Sequence, residues 1–137
     1  MNWRLILILS TPGVVMGVAA VWGLTQGREA PFWLAIGLVT ALLIARKAPG
    51  EPFQHGLLAG IFTAVVAGLI QVTLFDTYLA NNDQTAASLD DLPMSPRLFF
   101  LFVATPIVAV SSWGALGAVS WLISKLFRKK PVSTASA

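Results

Sequence analysis

Cysteine is absent from this chain of 137 residues, histidine occurs once, and only 11% of the residues are charged. Without cysteine there is neither a disulfide framework nor a thiolate metal site. A soluble domain carries about a quarter of its residues charged, so the chain lacks the polar side chains that cover a water-facing surface. One imidazole and six carboxylates assemble no Ser/His/Asp set and no paired membrane carboxylates, and the sequence holds no glycine-rich phosphate loop. A metal on His55 would find only Glu51 as a neighbouring carboxylate. No cofactor is expected, and an enzyme is the weakest of the functional readings.

What the chain has in quantity is apolar residues, 56% hydrophobic with a mean hydropathy of +0.77. They fall in four stretches free of ionisable groups, at 5–24, 31–45, 56–75 and 98–124. A membrane crossing takes about 20 residues at about 1.5 Å each. The first and third stretches meet that length. The second meets it when Arg46 and Lys47 snorkel, and the fourth exceeds it and must tilt or bend. The expected fold is all-α, an integral membrane bundle of four transmembrane helices occupying residues 1–127. Spans are placed approximately at 5–25, 31–47, 54–78 and 97–124, followed by a basic, disordered cytoplasmic tail at 128–137. The opening "MNWRLILILSTPGVVMGVAA" has the outline of a signal peptide, but apolarity continues to Leu24 and favours a retained helix.

Four spans put both termini on one side. Arg4, Arg46, Lys47, Lys125, Arg128, Lys129 and Lys130 share that side, and only Arg28 and Arg97 lie opposite. The positive-inside rule then expects N- and C-termini in the cytoplasm. The acids agree, with Glu29, Asp76, Asp83, Asp90 and Asp91 outside and Glu51 inside. Trp3 and Trp22 flank the first span roughly 28 Å apart along a helix, and Trp33, Tyr78 and Trp121 stand at predicted edges, as headgroup-level aromatics do. Trp113 falls inside the fourth span and is expected to pack against another helix. The pI near 9.8 follows from this topology, so the expected partner is the lipid bilayer and not nucleic acid.

Thr11-Pro12 and Thr105-Pro106 each set a proline within a span, which removes a backbone hydrogen bond and bends the helix. Neighbouring hydroxyls are the expected partners for the freed carbonyls. Pro31 and Ser95-Pro96 read as helix starts, and 80–95 is the one sizeable polar segment. Lipid is as apolar as leucine, so helices join through close backbone approach. The third span carries the clearest ridge for this, Gly56, Gly60, Ala64 and Gly68. The first offers Gly13 and Gly17, the second Gly37, Ala41 and Ala45, and the fourth Gly114 and Ala118 beside Ser111 and Ala115. Gln71 lies on the ridge side of the third span and is expected to hydrogen-bond to a neighbouring helix. Such faces also suit a homo-oligomer or another membrane protein as partner.

His55 and Asp76 bound the third span. On one unbroken helix they stand about 31 Å apart, far beyond the roughly 3 Å reach of a catalytic pair. His55 and Tyr78 are expected to be interfacial, at the inner and outer edges. A carboxylate in a last helical turn opposes the dipole, and an Asp76–Arg97 ion pair would offset it. "MNWRLILILS", "ARKAPGEPFQHG" and "FDTYLANN" together resemble a family of small bacterial four-helix membrane proteins. That family shares an M-N-W-basic start, an H-G entry to the third helix and a Y-x-A-N exit. The resemblance implies a bacterial cytoplasmic (inner) membrane and marks His55, Tyr78 and Asn81 as part of the pattern, and it brings no activity with it. The expected function is a non-enzymatic structural or accessory subunit of a membrane assembly. The alternative is a homo-oligomeric channel or small-solute transporter lined by hydroxyls (Thr40, Thr63, Thr73, Thr105, Ser111, Ser112) without an embedded acid. An enzyme acting on a lipid beside His55 comes third.

Overall fold

Proline, glycine and a few polar side chains set most of the breaks in a chain that is otherwise helical. The computed structural model describes residues 1–26, 28–89 and 92–127, with the backbone alone at Ser112. The expected tail at 128–137 lies outside the described residues. The elements are α1 (Trp3–Ser10), α2 (Pro12–Val21), α3 (Glu29–Lys47), α4 (Pro52–Thr73), α5 (Phe75–Ala80), α6 (Asp83–Leu89), α7 (Pro96–Phe99), a π-helical turn (Phe100–Ala104) and α8 (Thr105–Phe127). No strand occurs among the described residues. Followed through their kinks, these elements form four helices long and apolar enough to span a membrane, Trp3–Val21, Glu29–Lys47, Pro52–Thr73 and Pro96–Phe127.

Both Thr-Pro steps interrupt the regular hydrogen bonding of a helix without ending it, by different means. Pro12 has no N–H for the Ile8 carbonyl, and Thr11 gives that oxygen its own N–H at 3.2 Å and its hydroxyl at 2.7 Å. Thr11 keeps helical angles, so α1 and α2 run on as one helix. Pro106 is preceded by the π turn, in which the Thr105 N–H reaches back five residues to the Phe100 carbonyl. That wider turn makes room for a ring that would otherwise crowd the preceding carbonyls. The helix placed at 54–78 from sequence is divided at Leu74 (φ −104°, ψ 35°), which separates α4 from α5. His55 and Asp76 are therefore not on one continuous helix.

The third long helix is central, and its small residues serve two faces. Gly56, Gly60, Ala64 and Gly68 turn toward the fourth helix. Gly56 lies on Gly117 and Ser120, Gly60 beneath the Trp113 indole, and Gly68 against Thr105. On the other face, Thr63 meets Gly13 and Ala67 meets Gly17 of the first helix, through backbone atoms. The fourth helix makes its contact through Ala109, Trp113, Leu116 and Gly117, not through the Gly114 and Ala118 face read from sequence. Ser111, Ala115 and Ala118 are exposed, and Gly114 faces open space. The reason is steric: Trp113 is bulky, Gly60 is the notch that admits it, and seating one in the other fixes which side of α8 turns inward.

The second long helix, α3, lies along α8 through Ala41 and Trp33, and reaches the first helix at Ile44 and Ala48, which join Leu5, Ile6 and Leu9. The lateral order is therefore first, third, fourth, second. At one end of the bundle the Met1 ammonium approaches Glu51 at 3.6 Å and Arg46 lies 5.5 Å over the Phe127 ring. The start of α1, the end of α3, the start of α4 and the end of α8 thus gather together at what is called here the terminal end. The opposite, distal end is closed by Ala20, Val21, Phe75, Tyr78 and Leu89.

Candidate functional site

His55 and Asn81, two of the residues marked out in the sequence, serve as clamps between the first and third helices. At the terminal end, Asn2 caps α1 by accepting the Leu5 N–H on Oδ1 at 3.1 Å, and its own N–H donates to His55 Nε2 at 2.9 Å. His55 Nδ1 lies 2.8 Å from the Glu51 carbonyl. A carbonyl cannot donate, so the proton sits on Nδ1 and Nε2 is the acceptor. Both ring nitrogens are engaged by backbone, and the residue is only 3% exposed. His55, expected at the inner edge, stands in the first turn of α4 and is a buried joint there, because the chain start folds over it.

At the distal end α2 stops at Val21, where the last carbonyls of a helix lack intrahelical donors. Asn82 Nδ2–H donates to the Ala20 carbonyl at 2.9 Å and to the Tyr78 carbonyl at 2.8 Å. Asn81 Nδ2–H donates to Val21 at 3.2 Å and to Thr77 at 2.9 Å. Gly23 (φ 65°) turns the chain tightly against the Asn81 carbonyl, where a side chain would collide. Clamped at both ends, the first and third helices run parallel.

Tyr78 is buried against Phe75 and Phe100, with ring centroids 6.4 and 5.5 Å away. Burial pushes its phenol above the ordinary tyrosine value, so the hydroxyl stays protonated. Asp76 does meet Arg97, at 3.5 Å, and Arg97 also lies 5.6 Å over the Phe75 ring. The Asp76 side chain is 95% exposed, so water screens the pair and it contributes little. The hydroxyls are scattered. Thr63, Thr73 and Ser111 each donate to the carbonyl four residues back at 2.7 Å, and only Thr63 of the three is buried. They form no single polar file, and Ser112 has no described side chain.

Two buried side-chain polar atoms lack partners among the described residues, Ser120 Oγ against Gly56 and Trp113 Nε1, and the tryptophan lines a cavity of about 520 Å³ between α3, α4 and the π turn leading into α8. Its walls are mainly apolar, with Leu34, Leu38, Ala64, Ala67, Val108 and Leu116. Gln71 and Thr105 add polarity, and Trp113 contributes its buried Nε1–H, for which the described residues supply no acceptor. Gln71 was expected to bond to a neighbouring helix, yet among the described residues its amide has no partner. The wall recedes at this level: the fourth helix passes into its π turn, and a methyl at Gly37 would find only Leu116, at 3.9 Å. At the distal mouth Glu29 and Tyr78 are shared with a smaller polar vestibule of about 290 Å³, completed by Gln26, Asn82, Gln84 and Thr85. Thr25 donates to one Glu29 oxygen at 3.1 Å. Sequence reasoning placed Trp33 and Trp113 separately, and their edge-to-face contact at 6.1 Å in the cavity wall had no local signal. Among the described residues no group of three histidines and acids is placed to hold a metal. No family model, curated protein or solved structure matches the chain.

Proposed function

We propose that the chain is a multi-pass protein of a bacterial cytoplasmic membrane, with both termini cytoplasmic, that works without catalysis as a structural or accessory unit of a membrane assembly. The observation that carries this reading is the fate of His55. A general base needs a free lone pair facing its reactant. Here that lone pair accepts the Asn2 N–H and the remaining ring N–H faces a backbone carbonyl, so the only imidazole joins two helices. The orientation rests on the distribution of lysine and arginine. The accessory role is supported by the second helix, which presents Phe32, Val39 and Leu42 outward, apolar surface available to lipid or to another membrane protein.

Two experiments test the reading. Single cysteines at Lys47 and Asp83 should label from opposite faces of intact cells and spheroplasts, and labelling from one face overturns the topology. Purification from native membranes after crosslinking should recover a partner in stoichiometric amount. Recovery of the chain alone, with solute flux above that of empty liposomes, would replace the accessory reading with a channel.

A further inference from the structure

We propose that the cavity between α3, α4 and α8 is a binding site for a single-chain amphiphile, its hydrocarbon chain in the apolar chamber and an uncharged or cationic, hydrogen-bonding head at the distal vestibule. Four observations converge on it. The volume, about 520 Å³, falls within the roughly 300–1,000 Å³ of small-molecule sites, and the chamber is walled by aliphatic side chains with few polar groups, as such sites are.

The second observation is the unmet polar demand. Trp113 is only 7% exposed, lines the chamber and has no acceptor for its indole N–H among the described residues. Buried donors in native proteins are nearly always paired, and an orphan calls for an unrecorded partner. Gln71, in the same wall, offers a second amide with no partner among the described residues. A ligand carbonyl, ether or hydroxyl oxygen would satisfy either group, which a plain hydrocarbon cannot do.

Third, the polarity is graded along the site. The chamber is apolar at the level of Leu38 and Leu116. Toward the distal end it opens at Glu29 and Tyr78 into the vestibule of Gln26, Asn82, Gln84 and Thr85. Among the described residues Glu29 is the only formal charge on this combined lining, and no lysine or arginine lines it. A head bearing net negative charge is therefore disfavoured, while a glyceryl, sugar-like or ammonium head finds donors and acceptors. Fourth, the route in is lateral. Ala41 is fully buried deeper along α3, but at Gly37 the α3–α8 contact opens, and the π turn at Phe100–Ala104 widens the opposite wall.

The test uses the full chain in phosphatidylcholine nanodiscs, with the exposed Trp3, Trp22 and Trp121 replaced by phenylalanine so that Trp33 and Trp113 report. Titration with a monoacylglycerol dibrominated on its acyl chain should quench their fluorescence saturably, reversed by the unbrominated lipid. Gly37→Leu, which fills the chamber where space is open, should weaken binding at least tenfold without lowering the unfolding midpoint, and Val108→Phe gives a second filler should that variant fold poorly. Gln71→Leu should weaken binding at least threefold. The brominated fatty acid of the same chain, ionised at pH 8, should bind at least tenfold more weakly than the monoacylglycerol. Linear, unsaturable quenching unchanged by either filler means that bulk lipid alone reaches these rings and overturns the site. Equal affinity for the carboxylate overturns the head-group assignment. Self-association that shields Trp113, abolished by Gly37→Leu, would show that a second copy of the chain occupies the groove and overturns the amphiphile.

Discussion

Asn82 offers the sharpest test of the distal clamp. Its side chain is almost fully buried and donates to the carbonyls of Ala20 and Tyr78 at 2.9 and 2.8 Å. Replacing it by alanine removes two hydrogen bonds, each worth about 0.5–1.5 kcal/mol in general and about 0.6 between membrane helices. Neither carbonyl is orphaned, because the Gly23 N–H still reaches Ala20 and the Asn81 N–H still reaches Tyr78. The loss therefore belongs in the lower half of that range, about 1–2 kcal/mol in all. Asn82→Asp is the more telling change, since it keeps the shape and turns a donor into an acceptor facing two acceptors. The carboxylate must then stay protonated in a buried place or leave it, and the loss should exceed that of the alanine variant by at least about 1 kcal/mol. Unfolding in detergent, followed by helical circular dichroism, should show about 3–5 °C of midpoint for each kcal/mol in a chain of this size. An aspartate variant as stable as the parent would mean that the amide does not donate there, and the clamp would be wrong.

Three further outcomes follow from the same geometry. Gly60→Ala should destabilise the bundle by more than about 1 kcal/mol, because its methyl meets the Trp113 indole, whereas Gly37→Ala should be neutral or slightly stabilising. Unfolding midpoints of the two variants check the contrast. His55→Ala should raise amide hydrogen exchange at residues 2–6 at least tenfold, since the Asn2 joint loosens the start of α1. Unchanged exchange there would remove His55 from the structural account. Asp76→Asn should leave the unfolding midpoint unchanged within error, because the partner of Arg97 is almost wholly in solvent.

Four long apolar helices, the chemistry of Thr11-Pro12 and the ridge of Gly56, Gly60, Ala64 and Gly68 were legible because each is written in residues a few positions apart. The ridge did not name its partner, and the face of α8 it meets was misread. Small residues four apart are common in glycine-rich helices, and the choice was made by one large ring, Trp113. The clamps were illegible for a different reason. Asn2 and His55 are 53 residues apart, and Asn82 and Ala20 are 62 apart, so only the folded arrangement shows that the M-N start, the H-G entry and the Asn-Asn exit belong to one joint system. Gln71 was placed on the correct side of its helix by periodicity alone. Whether a neighbour came within reach depended on the divergence of α3 at Gly37 and on the π turn, and periodicity carries neither.

The dependence of the first helix on positions 55 and 82 has a consequence for how the protein is made. In the membrane arrangement proposed above, a nascent chain delivered only as far as Lys47 holds two helices that meet only where Ile44 packs with Leu5, Ile6 and Leu9, since their main neighbours in the finished bundle have not yet been synthesised. Arrival of Asn82 at the far surface closes the joint on a helix already waiting there, and the second helix finds its lasting support only once α8 follows. Chains stalled before that point present unpaired helix ends to membrane proteases, so quality control should discriminate sharply on either side of residue 82.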